Sequence, residues 1–262
     1  MEERFRTSAL DGDVFEVKEI LKSNPGIDVN WRAEGHRSAL FSSCINDHPS
    51  VVAILLAHPD IDVNQIDDDD GWTPFLAACD IGSTRCVRLL LKDSRVQVNG
   101  RTTLGNTALR WAACNHHLDI IKWWIASGRE MDLGQPGNKW TDAIGAARES
   151  YWGADVVAVL ERFKENPEET RDQMRLEVGW DKETAAEVFA LVVFVSDGLL
   201  RVYLGNQSTP TRAARFFTIA KRLPLELQMV LSYRVAGSAK EIISRFERET
   251  AFKNLASVVE TL

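Results

Sequence analysis

Cysteine is scarce in this sequence: Cys44, Cys79, Cys86 and Cys114 are the four in 262 residues. None forms a Cys-x-x-Cys pair, and the nearest spacing, Cys79 to Cys86, fits no common zinc pattern, so neither a disulfide framework nor a zinc ribbon is expected. Long apolar runs are also missing. The most apolar stretch, Ala190–Val195, stops at Ser196-Asp197, far short of a membrane span. The first sixteen residues are charged throughout and hold no apolar core, so secretion is not expected. There is no Gly-rich phosphate loop followed by Lys-Ser/Thr, no Gly-x-Ser-x-Gly elbow and no His-Glu-x-x-His. Ser196-Asp197-Gly198 lacks the first glycine of an elbow. These absences point to a cytoplasmic or nuclear protein that is not an enzyme, takes no cofactor or metal and does not enter a membrane.

Charge of one sign is in excess, but unevenly. The 31 Lys and Arg stand against 38 Asp and Glu, for a net charge of −7. Residues 210–262 carry 9 against 5, which leaves 22 against 33 for residues 1–209. A net-acidic body disfavours nucleic acid as a general partner. Tyrosine is rare as well (Tyr 3), whereas tryptophan is abundant (Trp 8). Indole rings are costly to leave in water, so these fill a core or mark a contact surface.

The sequence repeats itself, and the repeat sorts the rings. Ile27-Asp28-Val29-Asn30 returns as Ile61-Asp62-Val63-Asn64 and as Val96-Gln97-Val98-Asn99, so the Asn markers lie 34 and 35 residues apart. A second marker, Thr73-Pro74-Phe75-Leu76 with Ala77-Ala78-Cys79, recurs from Thr107 to Ala113 and, more weakly, from Ser38 to Cys44 and from Thr141 to Ala147. Apolar runs follow in phase at 51–56, 86–91, 120–125 and 156–160. Each copy reads as a helix, a tight turn and a second helix. Ser or Thr is the N-cap, Pro74 sits where no N–H partner is needed, and small residues permit close helix approach. One unit cannot bury both faces alone, so the copies must stack.

This pattern resembles the ankyrin repeat, most closely at Gly71-Trp72-Thr73-Pro74-Phe75-Leu76. The resemblance covers roughly residues 4–165, with residues 9–17 similar to an N-terminal capping copy. The consensus His is replaced by Phe41, Leu76, Arg110 and Ile144, and the last copy carries extra residues around Tyr151-Trp152-Gly153. It implies an all-α fold: an ankyrin solenoid of stacked helix-turn-helix units over residues 1–166, followed by a small helical domain over 167–262. In that second part Glu168–Val178 reads as an amphipathic helix, and Asp181 as the cap of a longer buried one. Leu223-Pro224-Leu225-Glu226-Leu227 is similar to the start of an F-box, and equally to an ordinary helix start with Pro in the first turn.

Candidate sites follow from the columns. Counting an EF-hand loop back from Gly71 puts Ile66 at the first ligand and Ala77 at the closing Glu, so the run Asp67–Asp70 is an acidic turn and not a calcium loop. His116-His117 lies at the turn between paired helices, where one ring is expected to bond backbone. Cys44, Cys79 and Cys86 fall in packing columns, and Cys114 is more accessible. Trp123 and Trp124 replace leucines of a second helix and read as core. Trp152 and Trp180 fall near the junction with the tail, where they would help seal the solenoid's end. Ankyrin proteins bind partners along the groove between fingers and first helices, and there the resemblance places Trp31, Arg37, Trp72, Arg110, Trp111 and Trp140. Asp68 and Asp69 on the adjoining finger favour a basic protein partner. The alternatives are that these rings only hold the stack, or that the chain is a substrate adaptor of a ubiquitin ligase through its F-box-like tail.

Overall fold

The computed structural model describes residues 1–32, 37–66 and 70–196, together with Phe216, Ala220, Gln228, Leu231, Ser232 and residues 250–253. Among the described residues the fold is all-α: twelve helices, no strand, and one isolated antiparallel bridge between Arg101 and Thr107. The helices come in pairs at the expected places. They are α1 (Glu2–Asp11) with α2 (Val14–Ser23), α3 (Ala39–Ile45) with α4 (Pro49–Ala57), α5 (Pro74–Ile81) with α6 (Thr84–Lys92), α7 (Ala108–Cys114) with α8 (Leu118–Ser127), and α9 (Ala143–Arg148) with α10 (Ala154–Glu165). First helices pack on first helices (α1, α3, α5, α7, α9) and second helices on second helices, so two columns share one elongated core.

The markers have distinct mechanical roles. Ser38, Thr73 and Thr107 cap α3, α5 and α7, each accepting the N–H three residues on. Each marker Asn is a two-point tie between fingers. Asn30 donates through Nδ2 to the Asp60 carbonyl at 2.7 Å and accepts the Asp62 N–H at 2.8 Å. Asn64 does the same with the Arg95 carbonyl and the Gln97 N–H, both at 2.8 Å. Asn99 repeats it more loosely with Glu130 (3.4 Å) and Asp132 (3.2 Å). A carboxamide is the one neutral side chain that can donate and accept in this geometry, which is why the marker is Asn.

The turns obey a paired rule. Gly12 and Gly82 are left-handed, and a Cβ on either would fall about 2.5 Å from the ring of His48 or His117. Those rings lie in the gap and donate through Nε2 to the Leu10 and Asp80 carbonyls at 3.0 and 2.8 Å. His117 is thus the backbone-bonding member of the His pair. At the joint between them the left-handed residue is Asp47 (φ 51), which has a Cβ, and the partnering position is Ser83, not His. Arg85 then pairs with Asp47 at 2.9 Å across the same joint.

The fourth copy departs from the pattern. The sequence makes Thr141 its cap, but the cap of α9 is Asp142, whose carboxylate accepts the Gly145 N–H at 2.7 Å and the Gly137 N–H at 2.7 Å. The Thr141 hydroxyl is committed to the Gln135 N–H at 3.2 Å. Gly134 stands where the next marker Asn would fall, and any Cβ there would strike the Thr141 carbonyl at 2.0 Å. Without a side chain it has nothing to tie a further finger, so the ladder stops at this finger.

The period ends at Pro167, but helix packing continues for twelve residues. Helix α11 (Pro167–Val178) lies on α8 and α10, burying Thr170 and Met174. Arg175 Nε donates to the Ala126 carbonyl at 2.9 Å, satisfying one of the free carbonyls at the end of α8. One compact unit therefore runs over Met1–Val178, and a second begins at Gly179. In the second, α12 spans Trp180–Ser196, so Asp181 lies in its first turn instead of capping it. Its small stripe (Ala185, Ala186, Ala190) and Phe189 form a core with Ala251, and Phe189 meets Phe252 edge-on at 6.1 Å. The F-box-like string Leu223–Leu227 lies outside the described residues.

Candidate functional site

The indoles divide into two sets with opposite surroundings. On the second-helix side Trp124 is 0% exposed, meets Phe75 edge-on at 5.0 Å and donates through Nε1 to the Glu130 carbonyl at 3.2 Å. Its neighbour Trp123 is 8% exposed beneath the Arg88 guanidinium, 4.0 Å from the ring. Both are core, as their column predicts.

On the finger-and-first-helix side the rings are half open. Trp72, on the finger before α5, and Trp111, on α7, are 39 residues apart in sequence, yet their centroids lie 5.6 Å apart at a 34° tilt. Arg110 stands over the Trp111 ring at 5.1 Å and reaches forward through Nε to the Lys139 carbonyl of the next finger. Lys139 in turn stands over Trp140 at 4.2 Å, and Trp140 is 36% exposed. The sequence Trp72–Trp111–Arg110–Lys139–Trp140 is therefore one strip across three consecutive copies. The Trp111 Nε1–H is buried and has no hydrogen-bond partner, which leaves a cost of roughly 1–3 kcal/mol standing in the strip.

The fingers that carry the strip are tied side by side. Thr103 donates both its N–H and its hydroxyl to the Asp70 carbonyl, at 2.9 and 3.0 Å. Arg101 pairs with Asp132 at 3.1 Å, and Gln65 donates to the Asn30 carbonyl at 2.8 Å. Such ties hold the aromatic positions at fixed spacing, the preorganisation that a binding strip needs.

Of the residues named from sequence, the structure brings together Trp72, Arg110, Trp111 and Trp140. Arg37 stays within its own copy, with its guanidinium 4.6 Å from the Phe41 ring. Trp31 is half-buried, its N–H donated to the Asp28 carbonyl at 3.1 Å, and no ring contact joins it to the strip among the described residues. Asp68 and Asp69 lie outside the described residues. Trp152 does not seal anything: it is 75% exposed, edge-on to Tyr151 at 4.9 Å. Both rings stand outside the core, unlike the His48 and His117 rings, which fill the gaps beside Gly12 and Gly82. Lys139 is the member the sequence reading missed. Its signal was available, since it precedes an indole on the finger that faces Arg110.

The strip holds no nucleophile or acid–base pair. Cys44 and Cys79 are fully buried, and burial pushes their thiols well above the ordinary range, so they remain protonated packing groups. Among the described residues no group of His, Cys, Asp and Glu has the arrangement of a metal site. Also among them, no helix is long and apolar enough to cross a membrane.

Comparison with known proteins agrees with this geometry. Residues 61–134 match the family described as Ankyrin repeats (3 copies). The chain is 36% identical over 107 residues to the SMC5-SMC6 complex localization factor protein 1 of Bos taurus, across 39% of this chain and 10% of that protein. It is 23% identical over 133 residues to the probable 26S proteasome regulatory subunit p28 of Saccharomyces cerevisiae, across 50% of this chain and 58% of that protein. It is 32% identical over 120 residues to the E3 ubiquitin-protein ligase XBAT33 of Arabidopsis thaliana, across 46% and 23%. The matched segment thus spans about a tenth of the localization factor and somewhat over half of the proteasome subunit. The family match, the Asn-tied fingers and the paired helix columns agree: residues 61–134 carry ankyrin repeats within a solenoid of stacked helix pairs.

Proposed function

We propose that this protein is an interaction module whose finger-and-first-helix face binds a segment of a protein partner. The strip Trp72–Trp111–Arg110–Lys139–Trp140 carries the reading. It presents half-open indoles and cations across three copies, while Trp123 and Trp124 are buried on the opposite column. Aromatic and Arg side chains of this kind are the usual energetic anchors of protein interfaces. The ankyrin repeat is in general a non-catalytic binding fold, and the relatives' names, a localization factor of a complex and a probable proteasome regulatory subunit, support the same reading. Trp31 and Arg37 would extend the face towards the N-terminus, and Asp68 and Asp69 would draw a basic stretch of the partner.

Affinity capture with the full chain, followed by mass spectrometry, tests this. Proteins recovered by the wild type are expected to be lost with a folded Trp72→Ala/Trp111→Ala variant. Equal recovery by that variant removes the face from the account. A second reading, a ubiquitin-ligase adaptor, draws on the Leu223–Leu227 string and on the E3 ligase relative. It requires that Leu223→Ala/Leu227→Ala abolish capture of a cullin or adaptor subunit by the full chain.

A further inference from the structure

The acidic fingers suggest a basic partner, but the strip itself has the other sign. Arg110 and Lys139 enter no ion pair among the described residues: Arg110 spends one N–H on a backbone carbonyl, and Lys139 lies exposed over an indole. The nearby Arg101 is already neutralised by Asp132, and Arg88, which also stands over an indole, does so over the buried Trp123 ring. Two unpaired cations are therefore held between three partly open rings in a body whose net charge is negative.

We infer that this strip takes an acidic–apolar segment of a protein partner: an Asp or Glu seated against Arg110 and Lys139, with an apolar residue one or two positions away lying on Trp72 and Trp111. The inference rests on the proposed binding role of the face and specifies its chemistry. A carboxylate between the half-buried Arg110 guanidinium and the exposed Lys139 ammonium gains charge-assisted hydrogen bonds, and apolar packing on the adjoining rings excludes water from them on binding. Cations already paired on the surface would offer no such gain. A partner that also carries a basic residue can meet the acidic finger. It would then bind with its charges in one order along the face, so orientation as well as affinity is set.

Phage-displayed random peptides selected against the full chain provide the probe. Selected peptides are synthesised and measured by fluorescence polarisation against wild type, Lys139→Gln, Arg110→Gln/Lys139→Gln and Trp72→Ala. The expected motif is Asp or Glu within two positions of Phe, Trp, Leu or Ile. Replacing that acid with its amide weakens binding to the wild type about tenfold, and the double variant loses the same factor. Applied together, the two changes cost little more than either alone, as a coupled pair requires. Lys139→Gln, at an exposed side chain, shows part of the loss with the fold undisturbed. Peptides that need Trp72 but carry no acid, or whose acid can be replaced without loss, overturn the inference and leave the face standing. Peptides indifferent to Trp72→Ala as well overturn both.

Discussion

Trp124 and Trp111 occupy the same copy, thirteen residues apart, and have opposite fates. The first is sealed in the second-helix column with its N–H satisfied by a carbonyl; the second lies half open in the first-helix column with its N–H unpaired. Residue type is identical and the local helix is the same kind, so column phase alone separates them. A solenoid builds its core from two columns, and the finger side of the first is where side chains can be given to a partner without dismantling the stack. On this protein the opposite column is filled and further covered by α11.

The comparison can be broken from the core side first. Trp124→Ala should cost about 3–5 kcal/mol of stability, because it empties a fully buried site packed against Phe75 and removes the bond to the Glu130 carbonyl. Urea unfolding monitored by circular dichroism measures it. A loss below about 1 kcal/mol would mean that the second column is not the core. Cutting a tie between fingers comes next. Asn64→Ala removes both bonds to the following finger, for an expected loss of roughly 1–3 kcal/mol, with amide exchange rising first at Gln97, whose N–H loses its acceptor. Uniform exchange along the solenoid would contradict a ladder of separate ties.

The smallest effect is electrostatic. The Asp93 carboxyl is held below its ordinary value, first by hydrogen bonding from Arg95 and also by the backbone N–H and the neighbouring charges. A depressed carboxylate stabilises the fold above its unfolded pKa, and that contribution is lost as pH falls through the lower folded value. Asp93→Asn should therefore weaken the protein by a few tenths of a kcal/mol at neutral pH, since Arg95 is well exposed, and flatten the acid side of its pH–stability curve. An unchanged acid limb would remove Asp93 from that role.

How much of this could be read from the chain follows the same division. The caps Ser38, Thr73 and Thr107, the marker Asn residues and the core placement of Trp123 and Trp124 were legible because each recurs with the period, and a recurring position has a recurring neighbour. The cap of α9 was not. Thr141 is in phase, but Asp142 beside it caps at least as well, and the Thr hydroxyl is taken by Gln135. The outward turn of Trp152 was missed because an insertion breaks the phase on which its reading depended. The meeting of Trp72 with Trp111 was missed for another reason: the two rings belong to different slots of adjacent copies, and only the stacking offset brings them to 5.6 Å. The pairing of Gly12 with His48 and of Gly82 with His117 spans two copies in the same way.

The most direct measurement follows the indoles themselves. The protein is prepared with 5-fluorotryptophan, its fluorine resonances are assigned by single Trp→Phe substitutions, and a partner recovered by affinity capture is added. The resonances of Trp72, Trp111 and Trp140 are expected to shift or broaden, while those of Trp123 and Trp124 stay in place. Movement of the buried pair with the strip unchanged would contradict the account.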